Sequence, residues 1–173
     1  MTSGILLQYL RPRLWLILVA LLLFLLAFYL RANQATLMEF KHDEAVAWWR
    51  AQAMLQGIEL PTSGLMSSKG LPNFPLFLYI IAFFSMIFRQ PAMLVYPIAS
   101  LNSLAVFLIL YAGRKLVNTR VAYVTAFLYS VSPCAVFLSR KIWAQDLLPF
   151  WSSAMLAAAA SCLSARMERT RYW

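Results

Sequence analysis

Acidic side chains are scarce in this 173-residue chain, which has six of them against fifteen lysines and arginines. Only two are aspartates, Asp43 and Asp146. Charged residues of both signs make up 12% of the sequence, about half of the share that is usual in a soluble domain. Because 62% of the residues are hydrophobic, this shortage of charge excludes a soluble domain and predicts an all-α, polytopic transmembrane helical bundle.

Cysteine and histidine are also too few to build a disulfide framework or a zinc site. Cys134 and Cys162 both lie in apolar runs, where a free thiol behaves as a small hydrophobe. His42 is the only histidine, and a structural zinc site needs four ligands. The formal charge of +9 would suggest a nucleic-acid partner in a soluble protein. Here the basic residues lie in short connections between apolar runs, which is typical of the membrane surface, so we expect no nucleic-acid partner.

Apolar runs long enough to cross a membrane account for most of the chain. A helix needs about 20 residues to cross the hydrocarbon region. We therefore predict about four spans, at 14–30, 92–112, 121–138 and 147–164, within a single membrane module of residues 1–173 that ends in a basic tail at 165–173. The basic start at Arg11 and Arg13, followed by a long apolar run, favours an uncleaved signal anchor.

The largest polar stretch, residues 31–73, is predicted to be an outer loop that contains a juxtamembrane amphipathic helix. Residues 43–56 are mostly good helix formers, and Gly57 is suited to the position after a helix end. The acids Asp43 and Glu44 would lie in the first turn, where the helix dipole favours negative charge. Val46, Trp49, Ala53 and Met54 recur at helical spacing and predict the apolar face.

The segment 74–88 leaves two topologies open. As a helix it would be only about 22 Å long, and Pro72 and Pro75 stand at its start. We predict an interfacial or partly inserted helix, which leaves four spans and puts Asp43 and Asp146 on the same side. If the segment crossed, five spans would put the two aspartates on opposite sides. The distribution of lysine and arginine favours five spans, whereas the short length and the prolines favour four.

The order of these elements carries a family resemblance. An acidic pair opens an amphipathic helix, a Pro-Leu-x-x-Tyr helix follows, one span ends in Gly-Arg-Lys, and the next closes on Ser-Arg with an aspartate six residues later. The residues concerned are Asp43, Glu44, Pro75, Leu76, Tyr79, Gly113, Arg114, Lys115, Ser139, Arg140 and Asp146. This order resembles the N-terminal module of the GT-C class of membrane glycosyltransferases. That class contains the protein O-mannosyltransferases and the bacterial enzyme that adds aminoarabinose to lipid A.

The resemblance implies a sugar transferase in a cell inner membrane, facing the non-cytoplasmic side. Its donor would be a polyprenyl- or dolichyl-phosphate sugar, and membrane lipids would be its other partners. Asp43, Glu44 and Asp146 would be catalytic, with a divalent cation at Asp43 or Asp146 left open. The donor phosphate would be bound by Arg140, Lys141 and Lys69, because a leaving phosphate needs nearby positive charge.

Structural roles for the same residues are an open alternative. Acids in a first helical turn complement the helix dipole, and an aspartate before a helix can cap it. Arg140 and Lys141 could equally extend to the headgroups. The chain would then be a non-enzymatic small membrane subunit, scaffold or transport component. Members of the GT-C class are usually longer, so the enzyme interpretation predicts that C-terminal spans or a partner chain complete the site.

Overall fold

A computed structural model of the chain describes residues 3–67 and 69–170, with side chains for 14–67 and 69–165. The described residues are all-α, as predicted, and form seven α-helices joined by turns and loops. The helices are α1 (Ser3–Ala32), α2 (His42–Leu55), α3 (Leu76–Ser85), α4 (Val95–Leu116), α5 (Thr119–Val131), α6 (Pro133–Leu138) and α7 (Leu148–Thr170). Short 3-10 turns at Ala35–Leu37, Pro91–Leu94 and Ala144–Leu147 lead into α2, α4 and α7.

Three helical segments of the described chain are long and apolar enough to cross a membrane: Leu14–Ala32, Pro91–Leu116 and Ala144–Ala165. The predicted count of four is therefore not confirmed. The remaining run, 121–138, is split between α5 and α6 at Ser132 and Pro133. Proline has no N–H and ends the first helix, while the Ser132 hydroxyl accepts a bond from the Ala135 N–H and begins the second.

The helix α3 is too short to cross the bilayer. Its ten residues cover about 15 Å, half of the hydrocarbon thickness. It instead packs against α2, with Leu78 and Ile81 fully buried between the two helices and the start of α4. The interfacial or partly inserted position of residues 74–88 stays a prediction.

The helix α2 forms where the sequence predicts it, but it turns a partly different face to the protein. Ala47 and Ala51, four residues apart, are fully buried in the cluster with α3, whereas Trp49 is 64% exposed. Of the predicted apolar face, Ala53 is buried and Met54 packs against the same cluster, whereas Trp49 points away from the protein. Small alanines allow the close approach of α2 to its neighbours, which a tryptophan would prevent. Gly57 follows the helix with φ +70°, a conformation that favours glycine.

The helix α4 is the centre of the bundle and packs against α1, α5 and α7. Leu23 and Ala27 of α1 meet Val106 and Leu110 of α4, with Ala122 of α5 closing the cluster. At Gly113 the backbones of α4 and α5 are so close that an added Cβ would lie 2.8 Å from the Ala122 Cα. Small residues at this crossing are typical of helix packing in membranes. This packing therefore fixes α1, α4 and α5 relative to one another.

Candidate functional site

The two loops that carry the predicted acids meet at one end of the bundle. Lys141 forms an ion pair with Glu39. The Arg140 Nη2 donates to the carbonyl oxygens of Asn33 at 2.8 Å and Gln34 at 3.2 Å. Residues about a hundred positions apart in the sequence are thereby joined, so the loop before α2 and the loop before α7 form a single surface.

The acidic pair at the start of α2 is divided between solvent and core. Asp43 is exposed, and its carboxylate has no hydrogen bond or ion pair with any described residue. Glu44 is buried, and its Oε2 accepts the Lys41 N–H at 3.0 Å. Neighbouring residues of a helix point about 100° apart, so only one of the two can face the core. Asp43 is therefore the freer group, and Glu44 is fixed by the turn that begins α2.

Asp146 is fully buried in the 3-10 turn before α7. Its Oδ2 accepts the Trp143 N–H at 3.0 Å, while its Oδ1 has no partner among the described residues. Its backbone oxygen accepts the side-chain N–H of Asn102 on α4 at 2.7 Å. Asp146 therefore bonds the residue three positions before it and does not cap the first turn of α7. Burial of an unpaired carboxylate oxygen is costly.

Glu44 and Asp146 are the two buried acids of these loops. Both acids are held in the same manner, each by a backbone N–H three residues before it. We call Asp43, Glu44 and Asp146 the carboxylate cluster. Its members are the acids that the sequence predicts as catalytic, and that role stays a prediction. The burial of Glu44 and the exposure of Asp43 depend on how α2 is rotated.

Glu39 is the electrostatic link between the two loops. Its hydrogen bonds to Lys141 and Lys41 lower the pKa of the Glu39 carboxyl to about 2, and the same contact raises the pKa of Lys41. The Glu39 side chain is half-exposed and the Lys41 side chain is 71% exposed. Glu39 was not predicted from the sequence, because nothing in the local pattern shows that Lys141 would lie beside it.

The three cations predicted to bind a phosphate have different surroundings. Lys141 is already paired with Glu39. Arg140 is half-buried and uses only Nη2 for its two carbonyl contacts, so Nη1 and Nε bond no described residue. Lys69 lies on an exposed turn between α2 and α3 and takes part in none of the ion pairs of the described residues. Arg140 is therefore the cation with the most free donors beside the carboxylate cluster.

Arg31 is the first residue of the predicted outer loop, residues 31–73, and it lies close to the break between α5 and α6. It belongs to the last turn of α1 and is fully buried. Its Nη1 donates to the carbonyls of Ala27 and Ser130, both at 3.0 Å, and its Nη2 donates to the Tyr129 carbonyl at 3.1 Å. Pro133 supplies no N–H to the carbonyl of Tyr129, four residues earlier, so the break between α5 and α6 creates the acceptors that Arg31 uses.

The carboxylate cluster lies outside the most prominent cavities of the described residues. The three cavities with volumes of about 810, 480 and 350 Å³ are lined by other residues. No group of three or more His, Cys, Asp or Glu residues in the described chain is close enough to hold a metal ion. A divalent cation at Asp43 or Asp146 stays a prediction. Of the three acids only Asp43 is exposed, whereas Glu44 and Asp146 are buried.

Comparison with known proteins gives one family. The sequence profile described as dolichyl-phosphate-mannose-protein mannosyltransferase matches residues 71–173, more than half of the chain. The match includes Arg140, Lys141 and Asp146 but begins after Asp43 and Glu44. No curated protein and no solved structure matches the chain significantly. The chain therefore belongs to the dolichyl-phosphate-mannose-protein mannosyltransferase family, which is a family of GT-C membrane glycosyltransferases.

Proposed function

We propose that the chain is the N-terminal part of an enzyme that transfers a sugar from a polyprenyl- or dolichyl-phosphate donor to an acceptor hydroxyl. The observation that carries the proposal is the meeting of the two acidic loops through the Glu39–Lys141 pair and the Arg140 contacts. Family membership supports the donor class. A transferase needs its acids, its acceptor and the donor phosphate at one place. These loops carry the acids and the cations that we propose bind the donor phosphate.

Asp43 is proposed as the general base. It projects from the first turn of α2, where the helix end favours negative charge, and the described residues leave its carboxylate free of bonds. An acceptor hydroxyl within hydrogen-bond distance would give its proton to this carboxylate while the hydroxyl oxygen attacks the sugar carbon. The bond from that carbon to the phosphate oxygen breaks, and the lipid phosphate leaves with the electron pair.

Glu44 and Asp146 are proposed to position the reacting groups. Glu44 fixes the turn at Lys41 from which Asp43 projects. Asp146 has one oxygen held by Trp143 and one buried oxygen that bonds no described residue, so a sugar or acceptor hydroxyl could bond to it once the turn before α7 has moved aside.

Arg140 is proposed as the main ligand of the leaving phosphate. Its free Nη1 and Nε can form charge-assisted bonds to phosphate oxygens without breaking the contacts that its Nη2 makes to the loop before α2. Lys141 is paired with Glu39, so it would stabilise the phosphate through its electric field and not by a direct bond. Lys69 would have to reach the phosphate from the exposed turn. The expected order of importance is therefore Arg140, Lys141 and then Lys69.

The contact between the loops also supports a topology with an even number of crossings between Asp43 and Asp146. We propose that α5 and α6 together form one span interrupted at Pro133, since residues 119–138 would cover about 30 Å if nearly collinear. With α4 as the other crossing and α3 at the interface, both acids face one side. The family resemblance makes that side the non-cytoplasmic face of the inner membrane.

A transfer assay on acid variants of the full-length protein tests the enzyme proposal. Reconstituted protein is supplied with a lipid-phosphate sugar, and release of the lipid phosphate is measured together with thermal unfolding. Asp43→Asn should lower the rate by a factor of about 100 or more, the usual contribution of a general base, without changing stability. Glu59→Gln is the matched control, because Glu59 is an acid of the same loop that pairs with Arg50 away from the cluster.

The topology has a separate test in intact cells. Single cysteines replace Asp43 and Gln145, an exposed neighbour of the buried Asp146, after both native cysteines have been changed to serine. Labelling of both positions by the same membrane-impermeant maleimide is expected. Labelling from opposite sides of the membrane would refute a common face.

The non-enzymatic interpretation has one observation in its favour. Glu44 and Asp146 each satisfy a backbone N–H, which is a structural role that requires no chemistry. On that interpretation Asp146→Asn destabilises the protein, while Asp43→Asn changes neither its stability nor any exchange of lipid-linked sugar. Retention of transfer by Asp43→Asn at the level of Glu59→Gln would therefore sink the catalytic role.

A further inference from the structure

A groove between α1, α4 and α5 lies at the opposite end of the bundle from the carboxylate cluster. We call it the basic groove; its volume is about 810 Å³, and residues 16–21 of α1 form one wall. Phe107 and Leu110 of α4 form the other wall, and Arg114 and Lys115 stand at one end. From Asn102, which contacts Asp146, to Lys115 the helix α4 rises by about 20 Å. The basic groove is therefore separate from the candidate active site.

The basic groove combines apolar walls with unpaired positive charge. Arg114 and Lys115 are exposed, and neither takes part in the ion pairs of residues 14–67 and 69–165. Leu21 on the α1 wall is 46% exposed and Tyr111 on the α4 wall is 44% exposed, so the groove is open along its side. Two cations at the end of an open apolar channel match an amphiphile with an anionic head.

The walls of the groove are held in place by a hydrogen bond and by packing. The Tyr123 hydroxyl of α5 donates to the Leu16 carbonyl of α1 at 2.7 Å. Outside the groove, the Tyr111 hydroxyl of α4 bonds the Ser161 hydroxyl of α7 at 2.8 Å. Because α1, α4 and α5 also share a buried cluster, the groove is formed before any ligand binds. From Phe107 to Lys115 its α4 wall is about 12 Å long, enough for part of an acyl chain.

We propose that the basic groove binds one acidic phospholipid, with the phosphate at Arg114 and Lys115 and one acyl chain along Ala20, Leu21 and Phe107. Charge complementarity selects this occupant, since each basic residue near the surface attracts anionic lipid. A zwitterionic lipid carries an amine that offsets this attraction. A second copy of the chain, related by a twofold axis along the membrane normal, would bring its own Arg114 and Lys115 to the same depth, where like charges repel.

Lipid retention by the purified full chain tests this site. The protein is reconstituted in phosphatidylcholine nanodiscs with graded phosphatidylglycerol, and lipids that stay bound after release are counted by native mass spectrometry. One phosphatidylglycerol per chain is expected. Arg114→Gln and Lys115→Gln should each weaken retention by about fivefold, and the double variant by about 25-fold. Arg120→Gln is the matched control, because it removes a charge from the same basic turn outside the groove.

Filling the groove gives a test that leaves the charge unchanged. Ala20→Phe should abolish the bound phosphatidylglycerol, and Leu21→Trp, at a half-exposed position that tolerates a larger side chain, should weaken it. Equal loss in Arg120→Gln and Arg114→Gln would show diffuse attraction and overturn the site. Equal retention of phosphatidylcholine, or retention unaffected by both filling variants, would overturn it as well. A dimer that binds no lipid and that dissociates when Leu21→Trp is introduced would also overturn the site.

Discussion

Replacement of the buried Arg31 by methionine tests how the broken helix α5–α6 is stabilised. The guanidinium supplies hydrogen bonds to the carbonyls of Tyr129 and Ser130, and it lies over the Tyr129 ring at 4.8 Å. Apart from the bond from Arg31, the Tyr129 carbonyl accepts only one bond from the described residues, a long one of 3.4 Å from the Ser132 N–H. The methionine side chain in Arg31→Met provides a comparable apolar stem, but it leaves these carbonyls without their donor. We expect a marked loss of stability.

The expected size of the loss follows from the contacts. Each bond from a charged donor contributes roughly 1.5–3 kcal/mol, and the contact with the ring contributes roughly 0.5–2 kcal/mol. Removal of a buried charge also abolishes its desolvation cost, which offsets part of the loss. We therefore expect a net destabilisation of about 3 kcal/mol, which for a chain of this length lowers the melting temperature by about 6–12 °C.

Thermal unfolding in detergent measures this loss, and Arg140→Met is its matched control. Arg140 is half-buried and also donates to two backbone carbonyls, but these bonds are exposed to solvent. Water can replace its bonds, so Arg140→Met should cost less than about 1 kcal/mol. Arg31→Lys keeps the charge with fewer donors and should give an intermediate loss.

A second substitution tests the physical reason directly. Pro133→Ala restores the N–H that a continuous helix directs to the Tyr129 carbonyl, so this change should reduce the cost of Arg31→Met. The coupling between the two positions is read from a double-mutant cycle. Equal costs of Arg31→Met and Arg140→Met, or strict additivity with Pro133→Ala, would refute the explanation.

Further predictions concern the packing and the loop contact. Gly113→Ala places a Cβ 2.9 Å from that of Ala122 and should cost about 1–3 kcal/mol by overpacking; Gly57→Ala meets no atom within 4 Å and should cost about 1 kcal/mol through its positive φ alone. Chemical denaturation of both variants checks the order. The lowered pKa of Glu39 stabilises the fold fully above its unfolded pKa of about 4.3. The melting difference between wild type and Glu39→Gln should therefore vanish as the pH falls from about 4 through about 2, and a constant difference would contradict the link.

The sequence predicts most of the helices because apolar length and helix-forming composition are local properties. The helix at 43–56 is found at His42–Leu55, and the short apolar segment 74–88 contains the ten-residue α3. The run 121–138 was predicted as one span because its composition is uniformly apolar, but Pro133 divides it. A proline in an apolar run was the available signal, and the missing N–H is its physical consequence.

The acids proposed for the candidate site were chosen from the sequence, and their role stays a prediction; their arrangement was not predicted. Asp43, Glu44 and Asp146 are identifiable because acids are so rare in this chain. The exposure of Asp43 and the burial of Glu44 depend on the rotation of α2, which is decided by Ala47 and Ala51 packing on α3. The partner of Lys141, Glu39, could not be predicted, because the pair connects residues that only the folded bundle brings together.

The sequence by itself determined that this is a helical membrane protein with two acidic loops, since hydrophobicity and charge are properties of the residues. It also carried the family, because the motifs lie in linear order along the chain. Only the tertiary structure decided that the loops meet, that Glu44 is buried while Asp43 is exposed, and that Arg31 is buried. These contacts depend on the rotation and crossing of α1, α2 and α4, and helix rotation is fixed by packing between elements distant in sequence.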